Sequence, residues 1–211
     1  MSHQKIWNFW AQHYDKLWVQ KVSLSPTRRQ VIKMTKELKD QMKIDKVLDV
    51  GCGIGELLED MTQCINTNTT IIHGFDYAPK MAEKASERLP HAKVWCADVY
   101  DMNQSQDSYA LITCTHSLPY YKDQALAIKY LNQKLDTDGR LIIGFASEST
   151  LYDRICLFFV KWTTGNAKYP SIKVFETMVA PYFLIESRAI LKERIFMPSI
   201  AVWQLKKKVN K

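Results

Sequence analysis

The feature that most constrains this chain is the segment Lys46–Val50 together with the glycines after it. A short run of aliphatic and β-branched residues passes directly into three glycines at alternate positions, Gly51, Gly53 and Gly55, and then into Glu56-Leu57-Leu58. Such a run reads as a buried strand, and the leucines after it read as the first turn of a helix. Glycines between a strand and a helix let the backbone turn sharply and approach a bound molecule closely. The helix start adds free N–H groups and the positive end of a dipole. Together they point to a nucleotide-like cofactor. The dinucleotide fingerprint GxGxxG fails, because position 56 is Glu. The pattern that stands is D-x-G-x-G-x-G, beginning at Asp49.

Downstream segments alternate in the same manner. A helix is expected over 56–64, a strand over 70–76, a helix over 79–88 with Pro79 in its first turn, a strand over 93–96 and a strand over 109–115. Ala127, Leu131 and Leu135 form one stripe of a helix over 122–135. Asp138-Gly139 reads as a turn before a fifth strand over 140–145. Strands and helices alternating at this spacing imply βαβ units and a mostly parallel sheet, doubly wound with helices on both faces. Near the N-terminus, Ser25-Pro26 opens a helix with Val31, Met34, Leu38 and Met42 on one face. Near the C-terminus, strand-like runs over 183–190 and 199–205 suggest a final antiparallel hairpin. With no internal repeat, the expectation is one domain over 1–211: an N-terminal helical cap over 1–45, a cofactor-binding core over 46–150, and a substrate-side insertion with the terminal strands over 151–211.

Composition removes several alternatives. The 211 residues are 46% hydrophobic and 24% charged, which is globular and not disordered. The longest apolar run, residues 155–160, is far short of the roughly 20 residues that span a bilayer. Residues 1–5 lack the apolar core of a signal peptide, so a cytoplasmic protein is expected. The five cysteines are scattered without a CxxC, which suits core thiols better than a zinc site, and no metal is expected. The net charge of +7 is unevenly placed: +6 over residues 1–46, −6 over 47–150 and +7 over 151–211. The acidic middle is a reasonable host for a cationic ligand. The basic flanks suit an anionic acceptor, a membrane surface, or simply solvent.

The D-x-G-x-G-x-G loop resembles the first motif of the S-adenosylmethionine-dependent methyltransferases of the Rossmann-like class. Further segments resemble that family in order. Asp76 ends the second strand within Gly74-Phe75-Asp76-Tyr77-Ala78-Pro79-Lys80-Met81, where an acid can accept hydrogen bonds from both ribose hydroxyls. Cys96-Ala97-Asp98-Val99 is similar to the family's adenine-binding segment, and residues 109–115 with His116-Ser117-Leu118-Pro119-Tyr120-Tyr121 are similar to its fourth motif. The resemblance runs over residues 7–206 and implies a seven-stranded sheet whose last strands form the antiparallel hairpin. It implies S-adenosylmethionine as cofactor, held by Asp49, Gly51, Cys52, Gly53, Gly55, Asp76, Tyr77, Met81, Ala97, Asp98, Val99 and Thr115. Tyr14, in the N-terminal stretch that resembles the leading helix of small-molecule and lipid methyltransferases, would cover the methionine end. An NPPY-type motif is absent after the fourth strand, which argues against adenine and glutamine N-methylation.

Methyl transfer from a sulfonium needs position and a dry site, and a base only where the nucleophile arrives protonated. His116 and Tyr120 are the candidates, beside His13 and Tyr14. The stripe Trp7, Trp10, Tyr14 and Trp18 is equally a packing face. The aromatic stretch 151–169 reads as an apolar wall for a substrate or as a core helix, with the core reading preferred. The acceptor expected is a small molecule, hydrophobic or anionic. A lipid head group at a membrane, RNA or protein, and a non-catalytic cofactor-binding module are the alternatives.

Overall fold

The computed structural model describes residues 4, 7, 8, 23–104, 106–164, 167–192 and 197–209, with side chains of 159–164 excepted. Helices are α1 (Ser25–Lys39), α2 (Glu56–Thr62), α3 (Pro79–Arg88), α4 (Gln124–Lys134), α5 (Leu151–Thr164) and α6 (Ile172–Val179). Strands are β1 (Lys46–Val50), β2 (Ile71–Asp76), β3 (Lys93–Cys96), β4 (Tyr109–Thr115), β5 (Leu135–Ala146), β6 (Phe183–Leu191) and β7 (Ile200–Lys207). Two 3₁₀ turns, Val99–Gln104 and Leu118–Tyr120, come after β3 and β4.

The seven strands form one sheet in the order β3-β2-β1-β4-β5-β7-β6. The pairs from β3 to β5 are parallel, and β7 runs antiparallel to both β5 and β6. The expected mostly parallel, doubly wound sheet with a terminal hairpin is therefore what the chain forms. Each face is buried under helices. Leu48, Val50, Ile112, Ile143 and Trp203 meet α4 and α6 on one face. Val47, Ile72, Leu111, Ile142 and Val202 meet α1, α2 and Leu157 of α5 on the other. Central strands buried on both sides explain why β1 and β4 carry apolar residues on both faces. Pairing of β1 with both β2 and β4 marks the point where strand order reverses. There the loops after β1 and β4 diverge and leave a crevice at the carboxyl edge.

Two expectations need correction. Asp138-Gly139 is not a turn before the fifth strand; it lies within β5, which begins at Leu135. The pairing with β4 jumps from Tyr109↔Leu135 to Leu111↔Arg140. The extra residues are taken up as an irregularity, and Gly139 fits there because a Cβ would sit 2.9 Å from Leu135. The stretch 151–169 is not a core helix throughout. Leu157 and Asp153 of α5 are buried, but Leu151 is 74% exposed, Ile155 53% and Phe158 59%. Trp10, His13, Tyr14 and Trp18 lie outside the described residues.

Candidate functional site

The loop after β1 is built as its glycines foretell. Gly51, Gly53 and Gly55 all have positive φ, at 72°, 56° and 82°. At Gly51 a side chain is excluded twice, because a Cβ would also lie 2.6 Å from the Cβ of Ser117. The loop is tied back to the sheet: the N–H groups of Gly51 and Cys52 donate to the Phe75 carbonyl at 2.9 and 3.0 Å. Ser117 Oγ donates to the Val50 carbonyl at 3.1 Å, joining the loop after β4 to the loop after β1.

Asp76 locks this arrangement. One carboxylate oxygen accepts the Gly53 N–H at 2.9 Å and the other accepts the Ala78 N–H at 2.8 Å. Burial nonetheless pushes its acid up to about 6, against those two hydrogen bonds. Asp49 lies beneath the loop, 1% exposed, and accepts a 2.7 Å hydrogen bond from the Thr113 hydroxyl. Burial raises its acid to about 7; Thr113 lowers it, and the Asp76 charge adds to the rise. Two acids thus stand beside a loop of backbone dipoles with no cation bonded to either carboxylate among the described residues. That favours a cationic ligand.

A cleft of about 50 Å³ opens beside the loop, lined by Asp49, Gly51, Cys52, Gly53, Thr115 and His116, with Leu24, Arg28 and Glu56 on its α1 and α2 side. Arg28 bridges to Glu56 at 2.9 Å and to Asp60 at 3.1 Å, holding α1 against α2. His116 has φ +57°, an uncommon backbone for a residue with a Cβ, and its Nε2 is 2.9 Å from Thr27 Oγ1. Burial pushes its imidazolium down to about 4, so it is neutral at pH 7. Tyr120 stands at the end of the 3₁₀ turn, its hydroxyl 3.4 Å from that of Tyr169.

Not every residue expected at the site lines the cleft. Met81 is 1% exposed and packs with Ile54 and Ala78 behind the loop, with Trp7 against them. Cys52 does line the cleft, with its thiol pushed well up by burial. Tyr77 is exposed, and its carbonyl accepts from Gln4 at 3.1 Å. Ala97 N–H donates to the Asp76 carbonyl at 3.1 Å, linking β3 to β2. Asp98 accepts the Tyr100 N–H at 3.2 Å, and so caps the 3₁₀ turn. Val99 is a core residue, 2% exposed.

Sequence reading missed Thr27, Thr113 and Ser117, whose contacts join residues 64 to 89 positions apart or close a turn locally. The sequence places Trp7 on a packing stripe but does not show the strap it makes with Gln4 and Asn8. Asn8 accepts the Lys80 N–H at 3.1 Å at the start of α3, and Trp7 packs edge-on to Tyr120, centroids 5.2 Å apart.

Residues 47–139 match the family model described as "Methyltransferase domain". That segment is 93 of the 211 residues, and it is similar to a methyltransferase domain. The matched segment contains the glycine loop, both acids and His116. Outside it lie α1, which faces the cleft, and everything from Arg140 of β5 onward. A curated relative, malonyl-[acyl-carrier protein] O-methyltransferase of Halorhodospira halophila, is 23% identical over 111 residues, 51% of this chain and 37% of its own. The chain thus matches little more than a third of that relative's length. Among solved structures, an N-methyltransferase of Bradyrhizobium japonicum in complex with S-adenosyl-L-homocysteine is similar at 16% identity. Its TM-score is 0.67, over 86% of this chain and 88% of its own. Magnesium protoporphyrin IX methyltransferase of Synechocystis, also with that product bound, is 19% identical, TM-score 0.68, over 91% and 88%. An S-adenosylmethionine-dependent methyltransferase of Clostridium acetobutylicum gives 16%, 0.70, 94% and 98%. At such identities the likeness of the chain to these structures is one of fold.

Proposed function

We propose that the chain transfers a methyl group from S-adenosylmethionine to a small molecule. The observation that carries this is the glycine loop locked to Asp76 at the sheet's reversal point, with Asp49 buried beneath it. The residues fit the cofactor in two respects. The loop offers backbone at three positive-φ glycines, so its N–H groups are not screened by side chains. The two carboxylates favour a sulfonium, and Asp76 stands where a ribose would be held. Gly51, Gly53 and Asp49 would face the methionine part, Tyr77 and Asp76 the ribose, and Ala97, Asp98 and Val99 the adenine. The cofactor supplies an activated methyl group that leaves behind a neutral thioether.

The protein's part is to align the acceptor and exclude water. His116, neutral and in the cleft wall, is placed to take a proton, with Tyr120 further out. The relatives support a small acceptor. Two of the similar structures hold the demethylated product, and the names of relatives specify an acyl-carrier-bound malonyl group and a porphyrin. The exposed apolar residues of α5 suit an acceptor with a hydrophobic part, and the basic last third suits an anionic one.

The same α5 residues, together with the basic flanks, are what favours a lipid acceptor. No helix among the described residues is long and apolar enough to cross a membrane. The test is transfer of tritiated methyl from S-adenosylmethionine to a small-molecule extract, to anionic vesicles and to RNA and protein in parallel. Label is expected in the small-molecule fraction; label confined to any other fraction overturns the reading.

A further inference from the structure

His116 is held by two elements that the sequence does not link. Its backbone N–H donates to the Gly144 carbonyl at 2.7 Å, pinning the loop to β5. Its Nε2 lies 2.9 Å from Thr27 Oγ1 on α1, 89 positions away. Thr27 is fully buried, and its hydroxyl donates to the Ser23 carbonyl at 2.8 Å. A threonine hydroxyl has one proton, and a carbonyl oxygen can only accept. The proton that bonds Ser23 is therefore not available to His116. Both hydrogen bonds form together only when Nε2 carries its own hydrogen and Thr27 Oγ1 accepts it. The other tautomer leaves two acceptors competing for one proton at a buried site, which disfavours it.

We propose that Thr27 is a positioning residue that holds His116 as the Nε2–H tautomer, leaving Nδ1 as the acceptor for the O–H or N–H of the incoming nucleophile. This rests on reading the cleft as a methyl-transfer site. His116 lines that cleft, and Nδ1 has no protein partner among the described residues. Burial keeps the ring neutral at pH 7 with its lone pair free, and by lowering the imidazolium to about 4 it also ensures that a proton taken up is passed on quickly to water. The balance is simple. The acceptor's oxygen or nitrogen forms a bond to the methyl carbon as the carbon–sulfur bond breaks. That bond's electron pair stays on sulfur, and the acceptor's proton passes to Nδ1 and on to water. A thiolate or carboxylate arrives without a proton and gains nothing from Nδ1, so the arrangement speeds transfer to hydroxyl or amine acceptors alone. The arrangement is the logic of an imidazole held in one tautomer by a partner on its far nitrogen.

The test uses full-length protein labelled with ¹⁵N at histidine, read by long-range ¹H–¹⁵N correlation. Wild type and Thr27→Ser are expected to show His116 protonated at Nε2 and bare at Nδ1. Thr27→Val, close to isosteric, is expected to show mixed tautomers. Calorimetry with S-adenosylhomocysteine is expected to give Kd values within about twofold for all three proteins, showing that the fold persists. Presented with a pool of alcohols, amines and thiols and tritiated S-adenosylmethionine, wild type should label hydroxyl or amine members. On these, Thr27→Val should lose about tenfold in kcat, and Thr27→Ser should recover it. An Nδ1–H signature in wild type, a Thr27→Val spectrum unchanged from wild type, or label in thiols alone overturns the proposal. Absence of S-adenosylhomocysteine binding in wild type overturns the methyl-transfer reading and the acceptor half with it. The tautomer spectra report separately on Thr27, so the two failures are told apart.

Discussion

Asp49 carries a cost that the fold tolerates for the sake of the loop above it. Its carboxyl is 1% exposed, bonded to Thr113, and its acid is raised from 3.8 to about 7 by burial. A carboxyl whose folded pKa is raised binds more protons folded than unfolded between those two values. Its destabilising effect is absent below pH 4 and grows as pH rises through 7. Asp49→Asn keeps an acceptor for Thr113 and removes the charge. It should raise the unfolding free energy at pH 8 by up to a few kcal/mol and give a much smaller gain at pH 5. Denaturant unfolding at the two pH values decides it; an equal gain at both would show that charge burial is not the cause. His116 works in the opposite sense. Its folded pKa is depressed from 6.5 to about 4, so its contribution is lost as pH falls through that window.

Gly51 gives a second prediction at the scale of one residue. With φ at +72° and a Cβ that would reach 2.6 Å from Ser117, Gly51→Ala should cost about 1–3 kcal/mol in stability. It should also weaken S-adenosylhomocysteine binding, because relief requires the loop or Ser117 to shift. A variant with unchanged melting temperature and unchanged affinity would contradict the packing described.

At the scale of elements, legibility in the sequence depends on how local the cause is. The bounds of α3 are set by Pro79 in its first turn and by the break after Arg88, and β4 is bounded by polar residues, so both read directly. The glycine loop and Asp76 read equally well, since a strand, a turn and a helix start are neighbours in the chain. The early start of β5 does not, because it depends on pairing with Tyr109 across a register shift. The eight residues of α6 are too few for a clear periodic pattern; they are helical because Ser171 caps them and Phe175 and Val179 find the core. The α5 face reads as core by its aromatics, yet the sheet offers cover for only one side. Thr27, Thr113 and Ser117 carry no local signature at all. Each matters through a partner that only the tertiary fold supplies.

The N-terminal strap is an element with a measurable consequence. Trp7 packs against Ile54, Ala78, Met81 and Tyr120. Trp7→Ala should therefore lower the unfolding free energy by about 1–3 kcal/mol in denaturant unfolding, because it removes an aromatic side chain from this contact. An unchanged unfolding free energy would show that Trp7 does not help to hold this part of the fold.

For the molecule as a whole, sheet, acids and charge distribution act together. The order β3-β2-β1-β4-β5-β7-β6 opens a crevice at one edge, and β1, β2 and β4 deliver Asp49, Asp76 and His116 to it. The −6 belongs to residues 47–150, which supply those three residues, and the positive charge to the flanks, from which Arg28 reaches the cleft. The net +7 is thus a property of the two flanks and not of the segment that carries the glycine loop. The central claim is that this crevice takes a sulfonium nucleoside and not a dinucleotide. Calorimetric titration of wild type and Asp76→Ala with S-adenosylmethionine, S-adenosylhomocysteine and NAD tests it most directly. The first two should bind wild type, NAD should not, and Asp76→Ala should lose at least about tenfold in affinity, as expected for a buried acid that bonds the ligand. Binding of NAD alone, or an Asp76→Ala protein that binds as well as wild type, would contradict the account.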